Sequence, residues 1–535
     1  MHSVIFPEKH PMTPIIRRSL VSVAVASAFV SSATLAGTST WFTPLTESAP
    51  VVAPNDIEEL SMPWVTPAGI NQKNLLSMRE VEDSILSPGQ SMVRVPHAGR
   101  NASMFDMIAY DPSGEYLFIP HETPWGAGLS RYDIENNFNQ VIFQGDGAGI
   151  NCLDFQPQEP RQPNDICPDW ANDYAAFDPS RFTPNGTVFL GEEWSGEGRI
   201  IEILNPMEAG ERDAEYRELD SIANVAHEGI NFSLQSKKTI YYIDEWRSGS
   251  IYKFVMRKKG DYTKGQTFVL SVDDFIPSGG VAADLYNEQA PGVVRTGAAT
   301  WIPLTDKHGN PLDGITDPFR NGPTNDPRTN VDTRGGRVAA DDANGTPYGR
   351  PEDMEVGKLR NGNEVIYFTA TSENIIYSVE MTGKKTAMVR EFVNGDVTPK
   401  NDGFAPTAGM LNSPDNLAQD ALGNIYIIED APNSSTTGGD IWFARDKNND
   451  GVAESIDHFM SIRVNGSEAT GMIFNPAKPT EFVVAVQHPE STNLDTTLDG
   501  LGDAVWQFNL DDDEYRKFVR KLEKASKKDK REDDD

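Results

Sequence analysis

Cysteine is nearly absent from this 535-residue chain: there are two, Cys152 and Cys167. Two thiols cannot build a zinc site alone, and a disulfide-stapled scaffold is excluded. The pair could close one loop after export, or remain as free thiols. Basic residues are also in deficit, with 47 Lys plus Arg against 80 Asp plus Glu and a formal net charge of -33. A phosphate backbone needs a basic footprint, so nucleic acid is not an expected partner. After Val30 no apolar run is long enough to span a bilayer, so no membrane span is expected in the mature chain. Long helical periodicity is missing between Arg100 and Leu510. Familiar nucleophile and phosphate motifs are missing too: there is no Gly-x-Ser-x-Gly elbow, no P-loop and no HExxH.

What is present begins with an export signal over 1–36. Arg17 and Arg18 precede an apolar stretch from Leu20 to Val30, and Thr34-Leu35-Ala36 offers a cleavage site. "RRSLV" meets the minimal twin-arginine pattern, which would engage the twin-arginine export machinery; ordinary secretion is the other route. Either route leads to a periplasmic or secreted location of bacterial type. Residues 37–100 read as an N-terminal extension. The charged tail at 511–535 reads as a short solvated helix running into disorder.

Between them one plan recurs: a polar motif, a short strand, a turn, a β-rich strand ending in polar residues, and another strand. The units centre on "FDMIAYDPSGEYLFIPHE", "AFDPSRFTPNGTVFLGEEW", "AHEGINFSLQSKKTIYYIDEW", "RPEDMEVGKLRNGNEVIYFTATSEN", "SPDNLAQDALGNIYIIEDAPN" and "EATGMIFNPAKPTEFVVAVQHP". Repeated antiparallel strands of this kind predict an all-β fold, a six-bladed β-propeller over 101–510. A β-sandwich array is the competing architecture. The Gly-, Pro- and Asx-rich stretch at 257–348 is expected to be a loop insertion or lid.

Aligning the units aligns the acids. Strand ends carry His121 and Glu122, Glu192 and Glu193, Asp244 and Glu245, Glu429 and Asp430, and His488. Strand starts carry His227 and Glu228, then Arg350, Glu352 and Asp353, then Asp415 and Asn416, then Glu468. A single acid at a strand end is usually a solvated turn residue. A ring of them at one channel mouth repels strongly unless paired or protonated, and one arginine cannot neutralise it. Hard cations can, and oxygen ligands select calcium, magnesium, manganese or iron over softer metals. Adjacent strand residues face opposite ways, so Glu192 and Glu193 need not share a role. The loop "DKNNDGVAESID" supplies Asp446, Asn448, Asp450, Glu454 and Asp457 as a separate candidate calcium site, which an Asx-rich hairpin also resembles without metal.

These motifs resemble the PhoX-type alkaline phosphatases over Phe105–Leu510, through "GTVFLGEEW", "AHEGINF", "YYIDEWRSGSIYKF", "GRPEDMEV", "SPDNLAQDALGNIYIIED" and "AVQHP". The resemblance implies a six-bladed propeller with iron and calcium at one channel mouth. It implies hydrolysis of small phosphate monoesters; since no protein nucleophile motif is present, a metal-bound oxygen is the expected nucleophile. Glu228 and Glu352 take the place of iron-side ligands, and Arg350 that of the residue holding the substrate phosphate. Glu192, Glu193, Glu245, Asp415, Asn416, Glu429 and Asp430 fit calcium ligation or its support. Where the family has an iron-ligating cysteine before the paired glutamates, this sequence has Gly191. Calcium is therefore expected, and iron is left without that thiolate. Two other readings share the scaffold: a calcium-dependent lactonase-like hydrolase, and a non-catalytic calcium-stabilised binding propeller.

Overall fold

Short runs of β-branched and aromatic residues, broken by turns such as Asp111–Gly114 and Thr183–Gly186, force the chain into antiparallel strands rather than helices. The computed structural model describes residues 40–53, 62–85, 95–97, 100–152, 167–194, 198–276, 293–319, 335–489, 503–510 and 512–532. The export segment predicted at 1–36 lies outside them. Among the described residues, no helix is long and apolar enough to cross a membrane.

The strands form a propeller-like all-β arrangement. One four-stranded sheet runs in order Ala109–Tyr110, Tyr116–His121, Gly128–Asp133 and Phe138–Gln144. A second contains Phe177–Phe182, Val188–Glu192, Ile200–Ile203 and Tyr216–Glu218. Next comes a nine-stranded sheet. It starts with His227–Phe232, Thr239–Asp244, Ile251–Met256 and Gly265–Val272, and ends with Thr386–Asn394, Ile375–Met381, Glu364–Ala370 and Pro351–Lys358. The strand Gly297–Pro303 joins the halves, pairing with Gly265–Val272 on one side and Thr386–Asn394 on the other. A five-stranded sheet is built on Pro414–Gln419, Ile425–Glu429, Asp440–Arg445 and Ser455–Ile462. The last sheet contains Glu468–Phe474, Glu481–Gln487 and Ala504–Leu510.

The first strands of these units form a closed circle of hydrogen bonds. Ser180 Oγ donates to Met107 O (2.8 Å), Arg181 Nε to Ile230 O (2.9 Å) and Asn231 Nδ2 to Met354 O (3.4 Å). Leu417 N donates to Asp353 Oδ2 (2.9 Å), Gly471 N to Asn416 Oδ1, and Thr470 Oγ1 returns to Phe105 O (3.0 Å). Hydrophobic clusters fill the spaces between neighbouring sheets, as where Phe118 and Leu129 meet Val188 and Ile201.

Three boundaries read from sequence are corrected. Within the N-terminal extension read at 37–100, the described residues join the sheets: Ile70–Ser77 pairs with Ala504–Leu510, and Trp64–Val65 pairs with Ser455–Ile462. The stretch 257–348 is not all loop, because "GQTFVLSV" and "GAATWIP" carry enough β-branched and aromatic residues to pair as strands. The tail is not simply solvated. The helix Asp512–Glu532 buries Tyr515, Phe518, Val519 and Leu522, one face at helical spacing, and Trp41 stacks on Phe518 with ring centroids 4.4 Å apart. That stripe is masked in the sequence by the charges around it.

Candidate metal centre

One irregularity recurs in every unit. Where the first strand pairs with the second, the register slips so that the first strand carries an extra residue. Pairing passes from Phe177↔Glu192 to Ser180↔Leu190, and from His227↔Asp244 to Ile230↔Tyr242. It passes from Pro351↔Ala370 to Met354↔Phe368, and from Pro414↔Glu429 to Leu417↔Ile427. The slip from Phe105↔His121 to Ala109↔Phe118 and that from Thr470↔Ala485 to Ile473↔Val483 complete the set. The residue opening each bulge is Asp106, Asp178, Glu228, Glu352, Asp415 and Gly471 in turn. Five of six bulges therefore present a carboxylate where the backbone is re-aimed.

Those carboxylates meet. Asp106, Glu122 and Asp178 place ligand oxygens within 4.8 Å of one another. So do Asp178, Glu193 and Glu228, and so do Glu228, Glu352 and Asp415. Asp178 and Glu228 each belong to two groups, so the three triads form one continuous chain. Asp106, Asp178, Glu228, Glu352 and Asp415 are buried, and Glu122 and Glu193 are half-buried. Asp106 Oδ1, Asp178 Oδ1 and Asp415 Oδ1 have no hydrogen-bond partner among the described residues. Burial first, and a neighbouring carboxylate second, hold Asp106, Asp178, Glu193, Glu228, Asp415 and the adjacent Glu468 well above the usual carboxylate range. Burial likewise raises Glu352, against the pull of Arg350, and pushes Glu122 up to about 7. A chain of acids this crowded can hold metal ions.

Arg350 faces the cluster with a third of its side chain exposed. Its Nε donates to Glu245 Oε1 (2.6 Å), and its terminal nitrogens lie 3.2 Å from Glu352 Oε1 and 3.8 Å from Asp430 Oδ2. Glu245, Glu352 and Asp430 are thus gathered around one guanidinium. Other expected residues lie differently. Glu192 turns away from Glu193 and is held by Arg199, whose Nη2 donates to Oε1 (2.8 Å), and by Ala175 N (3.0 Å). Glu429 is fully buried and accepts from Asn412 N, Trp442 Nε1 and Asp440 N at 2.8–2.9 Å. Asn416 turns its Oδ1 to Gly471 N in the next unit. Asp446 accepts from Asp450 N (3.2 Å) and Gly451 N (3.0 Å), and Glu454 from Lys447 N (2.7 Å). Their carboxylates close their own loop, which also carries Asn448, and the ligand-distance triads found among the described residues lie elsewhere. His121 and His227 are buried and held neutral, their pKa values lowered by burial to about 3. Cys152 and Cys167 are joined in a disulfide beside Trp125, Trp170 and Trp194.

Asp106 and Asp178 are the residues that strand-end reasoning missed. Their signal is the offset: Phe105-Asp106 and Phe177-Asp178 open their units as His227-Glu228 and Pro414-Asp415 do.

The profile of the alkaline phosphatase PhoX family matches residues 121–490. The chain belongs to that family. It is a phosphatase by that membership. The fold agrees with the structure of Pseudomonas fluorescens PhoX in complex with vanadate, a transition-state analogue. The TM-score is 0.56 at 15% identity, over 88% of this chain and 99% of that one. A structural genomics protein of unknown function from Bacteroides thetaiotaomicron matches at TM-score 0.39 and 8% identity, over 83% of this chain and 76% of that one. No curated protein sequence matches the chain.

The PhoX-type cysteine position is closed here. A Cβ at Gly191 would lie 2.8 Å from both His227 Cβ and Pro179 Cγ. Gly191→Cys is therefore expected to destabilise the protein by about 1–3 kcal/mol, not to restore a ligand. Urea unfolding measures this; a variant as stable as the wild type would refute the packing account.

Proposed function

We propose that the chain is an exported, metal-dependent phosphatase that hydrolyses phosphate monoesters at the acidic end of a six-bladed propeller. In this reading the nine-stranded sheet supplies the third and fourth blades. The supporting observation is the continuous chain of buried and half-buried carboxylates, three of them with an oxygen unpartnered among the described residues, bordered by Arg350. Asp106, Glu122, Asp178, Glu193, Glu228, Glu352 and Asp415 would hold the cations. The donor set is all oxygen, which suits calcium and other hard ions. It does not suit an iron centre that depends on a thiolate at residue 191, since that space is filled by His227 and Pro179. When bound, the cations supply neutralisation of the phosphate oxygens and Lewis-acid polarisation.

The protein's own groups divide the remaining work. Arg350 orients the phosphate through its fork of N–H donors and stabilises its charge. Glu245 keeps the guanidinium aimed at the site. Thr371 Oγ1 fixes Glu352 through a 2.9 Å bond to Oε1, so this acid is oriented before any ligand arrives. Glu192 and Glu429 hold the second-strand ends in place through Arg199 and Trp442. Export rests on the Arg17-Arg18 signal and leads to a periplasmic or secreted destination. The test is turnover of p-nitrophenyl phosphate, a phosphodiester and a lactone, before and after chelation and calcium return. Monoester turnover lost to the chelator and regained with calcium is expected. Turnover of the lactone alone, or monoester turnover indifferent to chelation, would remove the reading.

A further inference from the structure

Arg350 adopts a left-handed backbone, with φ of +52°. A non-glycine residue pays about 1 kcal/mol or more for that conformation, so the surrounding structure must impose it. The short turn Thr371–Glu373 does so from one side. Thr371 N donates to Arg350 O (3.0 Å), and Ser372 N donates to Gly349 O (3.1 Å). Gly349 N donates to Glu373 Oε1 (2.5 Å). From the other side, Tyr348 N donates to Gly249 O (2.8 Å).

Glu373 is itself fixed. Its carboxylate is buried, 3.3 Å from Arg295 Nε, and accepts from Tyr377 OH at 2.5 Å. Arg295 Nε also donates to Pro347 O (2.9 Å), and Tyr348 OH donates to Arg295 O (3.2 Å). Every peptide from Pro347 to Arg350 is therefore tied to one small network, and Glu373 is its only carboxylate among these contacts.

We propose that Glu373 is a positioning residue for phosphate recognition: it holds Arg350 in its left-handed conformation and so aims the guanidinium, without touching substrate. It is not among the residues that the order of acids along the repeating units singles out: Glu373 lies in the short turn Thr371–Glu373 and binds the backbone of Gly349. The inference rests on the reading that Arg350 holds the substrate phosphate.

The test compares competitive inhibition by inorganic phosphate in Glu373→Ala, Glu373→Gln, Tyr377→Phe and Arg350→Ala, with bound metal and thermal midpoint measured alongside. Glu373→Ala is expected to weaken phosphate inhibition and raise KM by about tenfold to a hundredfold, with metal content retained. Glu373→Gln keeps an acceptor for Gly349 N–H and should recover most of the loss. Tyr377→Phe, which leaves the carboxylate in place, should fall between them and serves if the alanine variant does not fold. Wild-type inhibition and KM in Glu373→Ala, beside a large loss in Arg350→Ala, would overturn the inference alone. Wild-type inhibition in Arg350→Ala would overturn the reading of Arg350, and this inference with it.

Discussion

Glu228→Ala will lower kcat/KM for phosphate monoesters by at least about 10²–10³-fold, and the variant will lose bound metal. Glu228 is the acid shared by the second and third triads. Its removal leaves Asp178 and Glu193 on one side and Glu352 and Asp415 on the other, without the carboxylate that the two triads share. The bulge from His227↔Asp244 to Ile230↔Tyr242 aims this side chain, so a neighbouring acid cannot take its place. A folding defect would give the opposite sign in a second measurement. In chelator, removing one buried, mutually repelled carboxylate should leave the thermal midpoint equal to or above that of the chelated wild type. Glu192→Ala provides the contrast. It removes the buried carboxylate partner of Arg199 and leaves this buried guanidinium with Glu218 and two backbone carbonyls, so it should cost stability in both metal-free and metal-loaded protein. Full activity and metal content in Glu228→Ala would dismantle the proposed centre.

The second large effect is a dependence of metal stabilisation on pH. Without metal, the cluster carboxyls have folded-state pKa values raised above their unfolded values by burial and by one another, with Glu122 up to about 7. Such groups hold protons more tightly folded than unfolded. Their stabilising contribution is complete below the unfolded carboxyl pKa and is lost as pH rises through the folded values. Chelated protein should therefore weaken from about pH 4.5 upward through neutrality. Cations reverse this by favouring the ionised form, and their binding releases protons. The midpoint difference between calcium-loaded and chelated protein should be larger at pH 8 than at pH 5 by roughly 5–10 °C. His121 and His227 act with the opposite sign: their folded pKa values are lowered to about 3, so stability falls as pH drops below about 6.5. That contribution is common to both forms and cancels in the difference. Scanning calorimetry at both pH values reads it directly. A pH-independent difference would mean that the triads do not exchange protons for cations.

Much of this was legible from residue order. Turn signals and strand-forming runs located the repeating units, and aligning them brought Glu193, Glu228, Glu352 and Asp415 to one place. What order could not supply is register. A bulge adds one residue to one strand of a pair, and that count depends on the partner strand. Asp106 and Asp178 consequently carried no mark in the sequence beyond following phenylalanines. Glu192 and Glu193 had to diverge by strand alternation, but only the pairing of Gly191 with Ile200 places Arg199 where it captures Glu192. The tail was read as a helix, but its packing was hidden because Tyr515, Phe518, Val519 and Leu522 are spread among lysines and acids. Its buried face becomes plain only once Trp41 is seen against it. The strands inside 257–348 were obscured by the Gly-, Pro- and Asx-rich residues around them.

The most direct test is elemental analysis of purified wild-type protein and Glu228→Ala, with phosphomonoester turnover measured on the same samples. The account predicts tightly bound calcium in the wild type, its loss in the variant, and turnover that follows the metal. Wild-type protein that turns over phosphate monoesters with no bound hard cation would contradict it.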